Sequence, residues 1–167
     1  MNYTISKAKI EDAERFGYIQ VESWRAAFSD ILEKDIISKY LDLEHVTGIY
    51  KRNIEIGRGN GLIMQVDGRD HCIAYWDKAR NTEDDKMAEL ICIHSLPERW
   101  RNGYGTEMMK QVIKDVKTAG YTSLCLWVFD KNQRARNFYE AVGFIDTGKR
   151  QEALGAVEDC YLLQVLE

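Results

Sequence analysis

Arg99, Arg101, Gly103 and Gly105 fall within one short run, Arg99-Trp100-Arg101-Asn102-Gly103-Tyr104-Gly105-Thr106. The run follows an apolar segment ending at Leu96-Pro97-Glu98 and precedes an amphipathic one. That order reads as a strand, a tight turn and a helix N-terminus. Glycine admits positive φ and lets a ligand approach the backbone. The free N–H groups of a first helical turn, aided by the helix dipole, favour an anion. With two arginines alongside, a pyrophosphate would fit, although an ordinary strand-to-helix turn has the same pattern. A dinucleotide fingerprint needs a third glycine where Met108 stands. No Gly-Lys-Ser/Thr follows, so a P-loop is excluded.

A second cluster lies in Asn132-Gln133-Arg134-Ala135-Arg136-Asn137-Phe138-Tyr139-Glu140-Ala141-Val142-Gly143-Phe144. Asn132 stands where a helix cap belongs. Ala135, Phe138 and Val142 share a helix face, and Tyr139 lies next to it with a polar tip to spare. A half-buried packing tyrosine would look the same. Upstream, Glu89 sits in the apolar run Met87-Ala88-Glu89-Leu90-Ile91-Cys92-Ile93. A carboxylate there needs either a partner or a task. His94 follows on the same strand, pointing to the opposite face by simple alternation.

These residues must be carried by regular elements. Residues 3–8 read as a strand, and a helix with an acidic start runs to about Phe28. Helical stretches follow at 34–41 and 43–56. Strands at 62–66 and 71–76 form a hairpin across Asp67-Gly68-Arg69-Asp70. Residues 87–96 suit a buried strand. The stretch 106–119 is the clearest helix, with Met109, Val112, Ile113 and Val116 on one stripe and Lys110, Lys114 and Lys117 facing away. A strand at 123–129, a helix at 133–141 and strands at 144–149 and 158–166 complete the chain. This is an α/β layout with a mainly antiparallel sheet and one strand–helix–strand unit within 87–129.

On its motifs the chain resembles the GNAT superfamily of acetyl-CoA-dependent N-acetyltransferases. Asn132, Ala135, Phe138, Tyr139, Gly143 and Phe144 match that family's N-x-x-A-x-x-F-Y-x-x-x-G-F signature. Gly103 and Gly105 match its Q/R-x-x-G-x-G/A signature, but Trp100 replaces the usual Gln or Arg. Arg99 or Arg101 is a candidate to stand in. The resemblance covers nearly the whole chain and implies a single domain over 1–167. It implies an α+β fold with a mixed, mostly antiparallel sheet of six to seven strands, one splayed parallel pair, and helices on both faces.

It also implies acetyl-CoA as co-substrate and no metal. The turn Arg101, Asn102, Gly103, Tyr104, Gly105 and Thr106 would hold the pyrophosphate. Backbone groups of Ile93, His94 and Ser95 would pair with the pantetheine arm, as would Asn132. The implied chemistry is direct attack of an amine on the thioester. An alkyl amine of pKa near 10.4 is only about 0.04% neutral at pH 7, so its proton must be removed. Tyr139 is the expected acid for the leaving thiolate. Glu89, fourteen residues before Gly103, is the expected base, with His94 as its rival and a structural ion pair as the alternative. His45 and His71 are expected at the surface.

The implied acceptor pocket draws on Trp24, Phe28, Tyr40 and Trp76, and Glu22, Asp30 and Asp159 could attract a cationic amine. Residues 20–28 look like one subgroup of small-molecule members. A small primary amine is the first expectation for the acceptor, a protein N-terminus or lysine the second. A non-catalytic acyl-CoA-binding module is the reading of another class. The segment 161–166 could pair across a homodimer interface.

The bulk properties agree. The chain has 167 residues, 45% hydrophobic and 30% charged, with a net charge of −4. That suits a folded domain and carries no basic stripe for nucleic acid. The start has no signal-peptide pattern and no run is long enough to span a membrane, so a cytoplasmic location is expected. Cys72, Cys92, Cys125 and Cys160 form no CxxC pair and show no ligand spacing with the histidines, so they read as buried free thiols.

Overall fold

The structure is a computed structural model and describes residues 2–165. The element order is β1 (Tyr3–Lys7), α1 (Ala13–Phe28), α2 (Lys34–Tyr40), α3 (Leu43–Glu55), β2 (Asn60–Val66), β3 (Arg69–Lys78), β4 (Met87–Ser95), α4 (Tyr104–Thr118), β5 (Ser123–Phe129), α5 (Gln133–Ala141), β6 (Ile145–Ala153) and β7 (Ala156–Gln164). Short 3-10 turns at Ile10–Asp12 and Pro97–Arg99 precede α1 and the glycine turn. The expected order of elements is therefore observed. Leu166, the last residue of the expected final strand, lies outside the described residues.

Seven strands form one sheet in the order β1-β2-β3-β4-β5-β7-β6. Every pairing is antiparallel except β4–β5. That parallel pair is joined only at Met87–Ser123, Ala88–Leu124 and Glu89–Cys125. Beyond it the two strands separate, so the sheet has a built-in split.

The helices cover both faces because each has one apolar stripe to bury. On one face α1 and α3 set Phe16, Ile19, Val46 and Tyr50 against Ile63, Ile73 and Tyr75. On the other, α4 sets Met108, Met109, Val112 and Val116 against β2, β3 and β5, joined by Tyr139 and Phe144. Burying a large side chain such as Phe16, which is fully shielded, contributes about 2 kcal/mol.

Three local departures from the sequence reading have simple causes. The β2–β3 turn is only Asp67-Gly68, both at positive φ (52° and 75°), as a two-residue turn with right-handed strand twist requires. The β6–β7 turn is Leu154-Gly155, at φ 55° and 76°, so β6 runs longer than expected and β7 begins earlier. Leucine is an unusual residue at that conformation, which hid the turn. Helix α4 starts at Tyr104 because Gly103, at φ 81°, is itself the N-cap.

A fourth departure matters for function. Trp76 pairs with Leu90 and Tyr75 with Cys92, leaving Ile91 without a register partner. This is a β-bulge, and it inverts the alternation beyond it. His94, Cys92 and Glu89 pair with Ile73, Tyr75 and Asp77, which share a face. Glu89 and His94 therefore lie on the same face, not on opposite ones.

Candidate active site

The split between β4 and β5 opens into a cleft of about 900 Å³. One half is walled by the β4–α4 turn and α5. The other is walled by α1, α2, the end of β5 and the β6–β7 turn.

Backbone conformation makes the first half. Arg101 is at φ 64°, and Gly103 caps α4 with no side chain bonding to the cap. The first amides of α4 thus face the cleft at Tyr104, Gly105 and Thr106. Ile93, His94, Ser95, Arg101, Gly103 and Asn132 line it too. Asn132 caps α5 by accepting from the Ala135 amide at 3.2 Å. Asn102 is exposed and does not line the cleft. Its side chain turns back to donate to the carbonyls of Arg99 and Trp100 at 3.0 and 3.3 Å.

Trp100, the departure from the family pattern, is tied down. Its indole N–H donates to the Ser95 carbonyl at 2.9 Å. The Arg134 guanidinium lies over its ring, 3.6 Å from the centroid. A cation in the first turn of a helix opposes the helix dipole, and burial pulls the Arg134 pKa down. The ring supplies the compensating attraction. Arg134 lines the cleft with Arg99 and Arg101, and sequence reasoning missed it. The signal was its place two residues after a helix cap, where a basic residue is disfavoured.

His71 departs from its expected surface position. It is 2% exposed, meets Tyr104 edge-on at 5.2 Å, and leaves Nδ1 without a partner among the described residues. Burial first, then Arg99, lowers its pKa. His45 is exposed, as expected.

Tyr139 is carried by α5. It lines the cleft and packs against Phe138 and Phe144 at 5.4 and 5.8 Å. Burial raises its pKa well above the ordinary phenol value, so the hydroxyl keeps its proton at neutral pH. It can present that proton as a hydrogen-bond donor to an anionic group in the cleft.

Glu89 is not brought to the cleft. It is 3% exposed, and Arg80 donates to it from its backbone N–H (3.1 Å), Nε (3.1 Å) and Nη2 (2.6 Å). Those three bonds satisfy the burial requirement that singled it out. His94 does line the cleft, but its Nε2 accepts from the Trp24 indole at 3.1 Å. Burial, then Arg134, pulls its pKa down to about 4. It is a neutral ring with its acceptor nitrogen already used.

Side chains make the second half. Trp24 stacks on Tyr40 at 4.8 Å and meets Phe28 edge-on at 4.9 Å, while Phe28 meets Phe129 edge-on at 5.2 Å. All four line the cleft, with Trp127, Leu154 and Glu158. Trp76 does not. It is 4% exposed in the core, edge-on to Tyr121. Glu22 and Asp30 do not line the cleft either, and Asp159 is wholly buried beside Arg136 and Arg150. Sequence reasoning missed Trp127 and Glu158 as lining residues. Cys92 also lines the cleft, with Cys72, and burial lifts its thiol pKa to about 11.

Residues 24–144 match the model of the acetyltransferase (GNAT) family. The chain belongs to that family. It is therefore an acetyltransferase by descent, and the cleft is where such chemistry would be done. It is 25% identical over 138 residues to the uncharacterized N-acetyltransferase YuaI of Bacillus subtilis (strain 168), covering 83% of this chain and 78% of that protein. Among solved structures it is similar to the PaiA N-acetyltransferase of Thermoplasma acidophilum in complex with coenzyme A. That likeness has TM-score 0.77 and 20% identity, over 98% of this chain and 99% of the other. It is also similar to yncA of Salmonella typhimurium with its cofactor acetyl-CoA, at TM-score 0.76 and 16% identity, over 100% and 96%. The two structures establish the fold: a mixed seven-stranded sheet with one splayed parallel pair. Among the described residues no helix is long and apolar enough to cross a membrane.

Proposed function

We propose that the protein transfers an acetyl group from acetyl-CoA to the primary amine of a small molecule, both bound together in the cleft. The observation that carries this reading is that one cleft is lined both by a cationic, backbone-rich set of residues and by an aromatic set, with Tyr139 among the lining residues.

The residues present fit acetyl-CoA. The uncapped amides of α4 and the arginines at 99, 101 and 134 suit its phosphates. The bulge leaves Ile91 unpaired at the open edge of β4, where its backbone groups can meet a pantetheine amide. When bound, acetyl-CoA would supply an activated acyl carbon and a thiolate leaving group. The amine nitrogen forms the new N–C bond as the C–S bond breaks. Tyr139 gives its proton to sulfur and recovers one from solvent. Neither Glu89 nor His94, the two side chains expected as base, is free to act as one. Glu89 is held by Arg80, and His94 has too low a pKa to compete for an ammonium proton. The amine's proton is assigned to water in the cleft.

The second half supports a small acceptor rather than a peptide. Phe28, Leu32 and Ile37 pack with Phe129, Leu154 and Ala156. A Cβ at Gly155 would come within 3.3 Å of Ile36 Cδ1, so the β6–β7 turn is pressed against α2. That packing narrows this side of the cleft and supports a small acceptor.

Calorimetric titration with acetyl-CoA, with ATP and NADH as controls, tests the first part. Micromolar binding of acetyl-CoA alone is expected, followed by thiol release with at least one small amine. Binding without turnover on any amine would favour the non-catalytic module. No binding would remove the acetyl-CoA assignment.

A further inference from the structure

The charges that line the cleft are sorted unequally. Arg99, Arg101 and Arg134 all belong to the half around the glycine turn. The other half holds no basic side chain and a single carboxylate, Glu158, among the described residues. Glu158 lies opposite Phe129 in the β5–β7 register, on the face where Phe129 meets Phe28. Gln151 donates to its Oε2 at 2.9 Å, and Arg80 is close enough to sense its charge. Its Oε1 is the one carboxylate oxygen left over.

From this sorting, and resting on the acetyl-transfer reading above, we infer that the acceptor is an arylalkyl monoamine: one ammonium on a flat apolar frame, with no carboxylate or phosphate.

Four considerations lead there. Aromatic walls from three directions, Trp24 and Phe28 on α1, Tyr40 on α2 and Phe129 on β5, suit a flat ring that can stack or meet them edge-on. The same faces attract an ammonium. One carboxylate pairs with one ammonium, so a polyamine would bring further charges with no acid to meet them. An acceptor carboxylate would lose its water with no cation lining that half to replace it, since the nearby Arg80 is held on Glu89.

The test uses the full-length protein with saturating acetyl-CoA and measures thiol release. 2-Phenylethylamine, L-phenylalanine, spermidine and a tetrapeptide with a free N-terminal alanine are compared. The expected kcat/KM for 2-phenylethylamine is roughly 100-fold above that of each of the others, since each leaves a charge or a chain unaccommodated. Glu158→Gln is expected to raise the KM for 2-phenylethylamine about tenfold while the calorimetric Kd for acetyl-CoA stays the same. Tyr40→Leu, remote from the sheet, is expected to lower kcat/KM for 2-phenylethylamine more than for hexylamine. Equal or better use of L-phenylalanine, spermidine or the peptide would overturn the inference, as would no turnover of 2-phenylethylamine. Separate calorimetry tells the two levels apart. If acetyl-CoA binds and spermidine is preferred, only the acceptor class is wrong. If acetyl-CoA does not bind, the reading beneath it falls too.

Discussion

The two halves of the cleft are built from different materials. The cofactor half is mostly main chain: a glycine-capped helix, a strand interrupted by a bulge, and a capped short helix, all within residues 91–139. The half proposed for the acceptor is mostly aromatic side chain, brought from α1, α2, β5 and the β6–β7 turn. A backbone site binds whatever carries the right phosphates and amides, and it tolerates changes in the surrounding side chains. A side-chain site changes specificity with each substitution.

The largest effect should come from the tyrosine on α5. Tyr139→Phe is expected to lower kcat by about 10²–10⁴, with acetyl-CoA affinity unchanged by calorimetry. A near-normal kcat would show that the leaving sulfur needs no acid from the protein. Next comes the ion pair outside both halves. Arg80→Ala strands a buried carboxylate and is expected to cost about 2 kcal/mol in urea unfolding, less than a fully buried pair because Arg80 is 62% exposed. Glu89→Gln should leave the pH–rate profile as it was. A profile altered by that change would return Glu89 to the mechanism.

The cofactor half is probed by Arg134→Gln, expected to weaken acetyl-CoA about tenfold and to flatten the salt dependence of its binding. The KM for the amine should not move. An equal loss for both ligands would blur the division between the halves.

The smallest effect concerns His94. Its pKa is about 4 in the folded protein, against roughly 6.5 when unfolded. Its neutral form is the one the fold accepts, so its contribution is fully present above about pH 6.5 and is lost as pH falls towards 4. His94→Gln should therefore flatten the acid limb of the urea midpoint between those values. In the intact enzyme, kcat/KM for an alkyl amine should rise about tenfold per unit from pH 6 to 8. An inflection near neutrality would reveal a side-chain base.

The same division governs what could be read from the sequence. Gly103, Gly105, Asn132 and Tyr139 act through local geometry, and local geometry is written in adjacent residues. The helices and the order of elements along the chain followed from apolar periodicity, while the splayed parallel pair came with the family resemblance. The acceptor wall was only half visible. Trp24, Phe28 and Tyr40 were candidates, but Trp76 turned inward with Tyr121 and Glu158 was unsuspected, because lining depends on which strands meet. Arg134 and Trp100 were both in view as single residues, while their stacking was not. For Glu89 the sequence left two readings open, a base or a structural ion pair, and the structure supplies the pair: Arg80 donates to it three times.

The bulge at Ile91 acts as a phase shifter. Everything on β4 downstream of it owes its orientation to one extra residue. Deleting that residue would remove no functional group, yet it would exchange the faces of Cys92, Ile93, His94 and Ser95 in one step. His94 would turn from Trp24 towards α4, and Ile93 would take its place beneath the aromatic wall. At this point in the chain the length of the strand is as much a determinant of the site as any side chain in it, and a loss of one codon would be more disruptive than most exchanges of one.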